Sequence, residues 1–313
     1  MSDRIAVAVV LLLLLVASLT PGCGQNQTAQ TNTNSPVSQR VLPPGELVRK
    51  MKAIEPFFRP MAEPGPFDWL ATHHEKGQTF EEYLNENPTI PSAQRRKIYI
   101  QSLGTFSKAQ RRVVDLAGKY IEAFYGLPVV TLREKQIEEP LRLKDFRSGS
   151  RSGKRQIRTG YILDDVLAPS LPEDCAALIA FTDEDLYTDP TTNYVFGQAS
   201  LENRIGVWSL FRLDDAADAA TFLRRTLKIA VHETGHLFGF RHCTKYECVM
   251  SGTNYLGETD RRPIDACPEC MAKICWMTTT DPAERFRRLA QFCRRNGLNA
   301  EAEEFDRKAL AVE

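Results

Sequence analysis

Five residues in the run HETGHLFGFRHC could carry out chemistry together: His232, Glu233, His236, Gly239 and His242. Two histidines four apart on a helix share one face, one turn apart, so each can give a ring nitrogen to the same zinc ion. A helix is expected because Phe222, Leu223, Leu227, Ile229 and Ala230 recur at helical spacing and no proline interrupts Thr221 to Phe240. Glu233 follows the first ligand directly. It stands beside the metal without being needed as a ligand, placed to take a proton from zinc-bound water while zinc polarises a scissile carbonyl. A helix that simply continued would swing His242 about 240° away from the metal. Gly239 can take a left-handed backbone, so the chain can turn and return His242 as third ligand, leaving a fourth position open for water and substrate. The bland alternative, two core histidines and one surface histidine, leaves a charged Glu233 on an apolar helix without a purpose.

A second constellation begins at the next residue. Cys243 and Cys248, then Cys267 and Cys270, form two close pairs divided by a loop, a spacing that assembles a tetrahedral thiolate zinc site. Such a site would pin the segment carrying His242. Disulfides or buried free thiols are the alternatives. A redox dithiol at CPEC is disfavoured because no thioredoxin-like helix is evident after it. Met250, eight residues beyond His242, could form an apolar floor beneath the metal. Cys175, Cys275 and Cys293 are left over and read as buried thiols.

The stretches HETGHLFGFRHCTKYECVM and SGTNYLGETDRRPIDACPEC resemble the archaemetzincin family of zinc metallopeptidases. So do ALIAFTDEDLY (177–187), NYVFGQASL (193–201) and GVWSLFR (206–212) upstream, and the likeness covers roughly residues 95–296. The resemblance implies a metzincin-like α/β (α+β) fold, a mixed twisted sheet with an active-site helix and a smaller C-terminal lobe. It implies two zinc ions per chain: a catalytic one on His232, His236 and His242 with Glu233 as general base, and a structural one on Cys243, Cys248, Cys267 and Cys270. The implied activity is peptide-bond hydrolysis, with aminopeptidase-like action ascribed to some members, on a peptide or protein substrate. Two other functions stay open: a zinc-stabilised peptide-binding module without turnover, and a metal-dependent amidase acting on cell-wall crosslinks.

The rest of the chain must position these residues. Residues 1–22 read as a signal peptide, with a 15-residue run from Ile5 to Leu19 that is apolar except for Ser18. Gly22 before Cys23 suggests lipoprotein processing, although Thr20 and Pro21 match the usual processing box poorly. Residues 23–45 read as a flexible polar tether. An exported, membrane-tethered protein lipidated at Cys23 is therefore expected, which sets a thiolate zinc site in a compartment where disulfides compete. Residues 46–313 are long enough to bury a substantial core and are expected to form one catalytic domain: an N-terminal extension (46–95), an upper lobe (96–239) and a lower lobe (240–313). A monomer is expected. Lys+Arg and Asp+Glu both number 40, which argues against a nucleic-acid surface.

Within the domain, KIYIQSLG reads as a strand, Ser107 and Gln110 as a capping box opening a helix, and VVTLRE as a second strand, a β-α-β unit. KDFRSGSRSGKRQIR reads as an exposed basic loop, followed by a short helix near 161–168. Strands are expected around Ala177–Phe181, Tyr194–Ala199 and Arg204–Leu213. An edge strand before the active-site helix would pair with an extended peptide, and GQAS is a plausible part of that cleft. Asp281, Pro282 and Glu284 should open an amphipathic helix ending near Gly297, its arginines between Arg285 and Arg295 facing outward. His73 and His74 read as a solvated surface pair.

Overall fold

The computed structural model describes residues 42–137, 145–148, 155–191, 193–213 and 218–313. The expected leader, Cys23 and nearly all of the expected tether lie outside the described residues. The chain enters through an arm of short helices, α1 (Pro44–Ile54), α2 (Trp69–Thr72) and α3 (Phe80–Asn85). Prolines break the arm, and α3 starts on a capping box between Thr79 and Glu82.

The expected β-α-β unit follows as β1 (Lys97–Leu103), α4 (Lys108–Tyr125) and β2 (Val129–Thr131), with β1 and β2 parallel. The Ser107 hydroxyl accepts from Gln110 N at 3.2 Å while Gln110 Oε1 accepts from Ser107 N at 2.8 Å. Val113, Ala117, Tyr120, Ile121 and Phe124 form the buried stripe of α4, and Gly126 ends it in a left-handed conformation (φ 66°).

The basic stretch is not simply a loop. Its described parts form β3 (Phe146–Ser148) and β4 (Arg155–Arg158), paired antiparallel, while residues 149–154 lie outside the described set. The arginines are absorbed by partners that linear reading could not supply: Arg158 meets the buried Asp145, and the Arg147 guanidinium stacks 4.0 Å from the Tyr187 ring. A wide helical turn spans Tyr161–Leu167.

The remaining strands are β5 (Cys175–Thr182), β6 (Asp185–Tyr187), β7 (Gly197–Ser200) and β8 (Ile205–Ser209). The main sheet has the order β2-β1-β5-β8-β7. Its first four strands are parallel and β7 is antiparallel at the edge. All eight residues of β5 are buried, as a central strand covered on both faces requires. A smaller sheet, β3-β4-β6, stands beside it.

Five helices complete the chain: α5 (Ala219–Leu237), α6 (Leu256–Arg261), α7 (Pro268–Thr278), α8 (Pro282–Arg295) and α9 (Asn299–Ala311). Cys267 and Pro268 do open a helix, contrary to the reading of CPEC as lacking one. α8 begins as expected, the Asp281 side chain accepting from Glu284 N at 3.0 Å. Arg285 departs from the outward arginine face. It is fully buried, its Nε donating to Phe124 O at 2.8 Å and its guanidinium meeting Asp265 at 3.3 Å. Its burial is tolerable because a carboxylate, a carbonyl and the Phe124 ring share the charge. After Gly297 (φ 74°) the chain turns back as α9, which the sequence reading did not foresee, and Phe305 packs on Phe286. Among the described residues no helix is long and apolar enough to cross a membrane.

Candidate active site and metal centres

Helix α5 carries the first two histidines, and three neighbouring elements hold it in place. Asp218 caps its start, accepting from Thr221 N at 2.8 Å. Trp208 Nε1 on β8 donates to Ile229 O at 3.0 Å, and the Tyr125 hydroxyl at the end of α4 donates to Val231 O at 2.6 Å. The Tyr83 hydroxyl on α3 donates to Phe238 O at 3.0 Å, just past the end of the helix. Each bond uses a lone pair that a backbone carbonyl keeps after any helical bond is made, so the helix is fixed without being broken.

Gly239 has φ 81°, the left-handed conformation that its position called for. The helix ends at Leu237, before Phe240. Gly239 N donates to His236 O and Phe240 N to Gly235 O, which turns the chain toward His242.

The turn brings the three histidines together. Nε2 of His232 and Nε2 of His236 are 3.0 Å apart, and one ring nitrogen from each of the three residues lies within 4.8 Å of the others. Every Nδ1 is occupied: His232 on Val249 O at 2.8 Å, His236 on Phe240 O at 2.6 Å, His242 on the Glu75 carboxylate at 2.9 Å. These bonds leave Nε2 as each ring's free nitrogen, the second contact that orients metal-bound histidines. Burial lowers the pKa of all three, favouring the neutral imidazole that ligates metal. Tetrahedral zinc would set its nitrogens roughly 3.3 Å apart, so the donor set fits that ion.

Glu233 lines the same cavity. Burial pushes its carboxyl up to about 7, with the charge of His242 opposing. Met250 lies fully buried beneath α5, and a side chain at Gly235, between the two histidines, would strike its Sδ at 2.7 Å. The glycine allows the methionine to pack directly against the helix backbone.

Cys243, Cys248, Cys267 and Cys270 also converge, their sulfurs all within 4.8 Å and the side chains buried. Cys243 and Cys267 Sγ are 3.6 Å apart, close to the roughly 3.8 Å between thiolates on one zinc. Hydrogen bonds from the other three sulfurs hold Cys243 well below the usual thiol range, while burial holds Cys248 and Cys267 above it. Cys243 N donates to Met250 O at 2.8 Å, linking this cluster to the floor of the histidine site. Cys175, Cys275 and Cys293 are buried and form no disulfide, and neither donor cluster includes them.

The arm contributes what the sequence reading missed. Glu75 grips His242, and Gln78 reaches both Gly239 O and Arg241 N at 3.3 Å, so the turn carrying the third histidine is held from residues 75–78. Trp69 walls the cavity, its indole covering Gly252, and His73 stacks on its ring at 3.7 Å. The signal in the sequence was absent, because these partners lie some 160–190 positions from the residues they touch. Glu75→Ala should weaken zinc binding at the histidine site about 10–100-fold while leaving the cysteine site loaded. Titration against a competing chelator reads both sites, and unchanged affinity at the histidines would remove Glu75 from metal binding.

With the geometry established, the relatives are informative. The family model for Peptidase family M54 matches residues 154–275. The chain is 31% identical over 286 residues to archaemetzincin-2 of Mus musculus, covering 79% of each chain, and equally similar to that of Homo sapiens. An archaemetzincin from Archaeoglobus fulgidus is 41% identical over 178 residues, 57% of this chain and 98% of that one. The crystal structure of an archaemetzincin from that organism, complexed with malonate, aligns over 56% of this chain and 99% of its own with TM-score 0.45 and 32% identity. One from Methanopyrus kandleri aligns over 59% and 96% with TM-score 0.48 and 28% identity. On the extent of its identity to the mammalian relatives, the chain belongs to the archaemetzincin family of zinc-dependent metallopeptidases.

Proposed function

We propose that His232, His236 and His242 hold a catalytic zinc and that Glu233 serves as general base in hydrolysing peptide bonds. The observation that carries this reading is the convergence of one ring nitrogen from each of three histidines beside Glu233 in one cavity, next to strand β7, which among the described residues is the edge of the sheet. Zinc, when bound there, supplies Lewis acidity toward the attacking water and the scissile carbonyl. Glu233 takes the proton of that water and returns it to the leaving nitrogen. Edge strand β7 offers backbone groups along which a substrate can extend, as an added strand. The neighbouring Tyr194 and Phe196 give its side chains an apolar wall.

Among the described residues lining the cavity, Glu233 is the one carboxylate, so no acidic cage stands ready for a substrate α-amine. This favours cleavage within a chain, or near its carboxyl end, over aminopeptidase-like action. Cys243, Cys248, Cys267 and Cys270 would hold a second, structural zinc, making two ions per chain. Glu233→Gln, assayed for cleavage of a mixed peptide library, tests the catalytic reading against both a binding module and an amidase. The apolar run to Leu19 and the Gly22–Cys23 junction support export and lipid attachment at Cys23. Metabolic labelling with a fatty-acid analogue should mark the wild type and not Cys23→Ser, and equal labelling would refute the attachment site.

A further inference from the structure

The cavity beside the histidines measures ≈ 420 Å³ and has an unusual floor. Lys228 lies one helical turn before His232 on α5, about 6 Å along the axis and on the same face. Its side chain is buried, and Nζ donates to Thr259 O at 2.9 Å and Asp260 O at 3.1 Å, carbonyls at the end of α6. An ammonium has three donors, so one remains.

The nearby carboxylates are committed elsewhere. Arg225 takes the Asp260 carboxylate at 2.8 and 2.6 Å. Glu258, fully buried, accepts from Trp69 N, Asn254 N and Arg262. Among the described residues no carboxylate lies in ion-pair range of Lys228 Nζ. Arg262 lines the same cavity; it meets Glu247 and Glu258 through its terminal nitrogens, while its Nε is buried without any acceptor. Burial pulls the Lys228 ammonium down to about 8, with the charges of Asp260 and Glu301 opposing. The lining hydroxyls are already bonded, Ser251 donating to Tyr246 O and Thr253 pairing with Thr259 at 2.9 Å. The floor therefore keeps two donors without an acceptor, the third N–H of Lys228 and Nε of Arg262. An apolar or basic side chain would leave those donors unpaired and a neutral amide could only accept from them, whereas a carboxylate would accept and also balance the ammonium's charge.

We propose that this cavity is a subsite for a substrate carboxylate, recognised through Lys228 with Arg262 beside it. The proposal rests on the peptidase reading and deepens it, because Lys228 is one turn from His232 and the carboxylate would belong to a residue flanking the scissile bond. Two sources share that chemistry, an Asp or Glu side chain and the chain's own terminal carboxylate.

The test uses zinc-loaded Glu233→Gln protein, which should bind without turnover. Fluorescent peptides differ only in Glu, Gln or Lys at each position around the cleavage site, each with a free or an amidated C-terminus. Glu should bind at least about tenfold tighter than Gln at one position if the side chain is read, and free acid tighter than amide if the terminus is read. Lys228→Met should erase the difference and Lys228→Arg should keep it, with melting curves confirming that both fold. Equal affinity for charged and neutral members of every pair, including no binding by any, overturns the proposal on the parent protein alone. Glu233-dependent cleavage by the unmodified enzyme remains a separate result, so loss of the subsite and loss of the peptidase reading are distinguishable.

Discussion

Glu233→Gln is expected to lower kcat by about 10²–10⁴-fold while the histidine site keeps its zinc and the protein its melting temperature. The amide has the carboxylate's shape and remains in the same wall of the cavity. It cannot accept the proton of an attacking water. Retention of zinc follows because every acceptor that holds the histidines in place comes from elsewhere: Val249 O, Phe240 O and Glu75. Initial rates on the best library peptide, with zinc measured on the same samples, decide the point. Full activity in Glu233→Gln would require another base. Absence of cleavage by both proteins on every peptide would favour the binding-module reading.

Cys267→Ser should have the larger structural effect. Thiolate sites hold zinc with an apparent ~10–16 kcal/mol, and losing even ~4 kcal/mol of that should lower the melting temperature of a domain this size by about 10 °C or more. Four sulfurs within 4.8 Å, all buried, have no comparable source of cohesion without a metal. The loss should spread, because Cys243 adjoins His242 and its amide holds Met250 O at 2.8 Å. Calorimetry of wild type and variant, with and without chelator, reads the effect, and zinc titration of the histidine site should show weakened binding as well. A variant that melts with the wild type would reduce the cluster to four packed thiols.

Local chemistry made much of this protein legible from its sequence. HETGH on an apolar helix sets two imidazoles one turn apart by helical geometry alone, and Gly239 announces the left-handed turn because a Cβ is disfavoured at φ 81°. The Ser107–Gln110 box and the Asp281–Glu284 cap were readable because both partners lie within one turn. The paired cysteines showed in their spacing.

Tertiary structure decided what depends on long-range partners. Glu75, Gln78 and Trp69 look like parts of a polar, proline-broken arm until folding sets them against His242, Gly239 and Gly252. Arg285 reads as a surface charge on an amphipathic pattern, and only the meeting of α8 with Asp265 and Phe124 makes its burial tolerable. Strands β3 and β4 were hidden because arginine, serine and glycine make up most of the segment, and the partners of its arginines, Asp145 and Tyr187, are brought to them only by the fold. Lys228 is the sharpest case. On a helix wheel it marks a polar position, and only the packing of α6 against α5 turns it into a buried ammonium held by two backbone carbonyls. Residue types and near spacing declared the two donor sets, since ligand geometry is a local property. Which residues steady those sets and face the substrate depends on contacts between distant segments, which exist only in the fold.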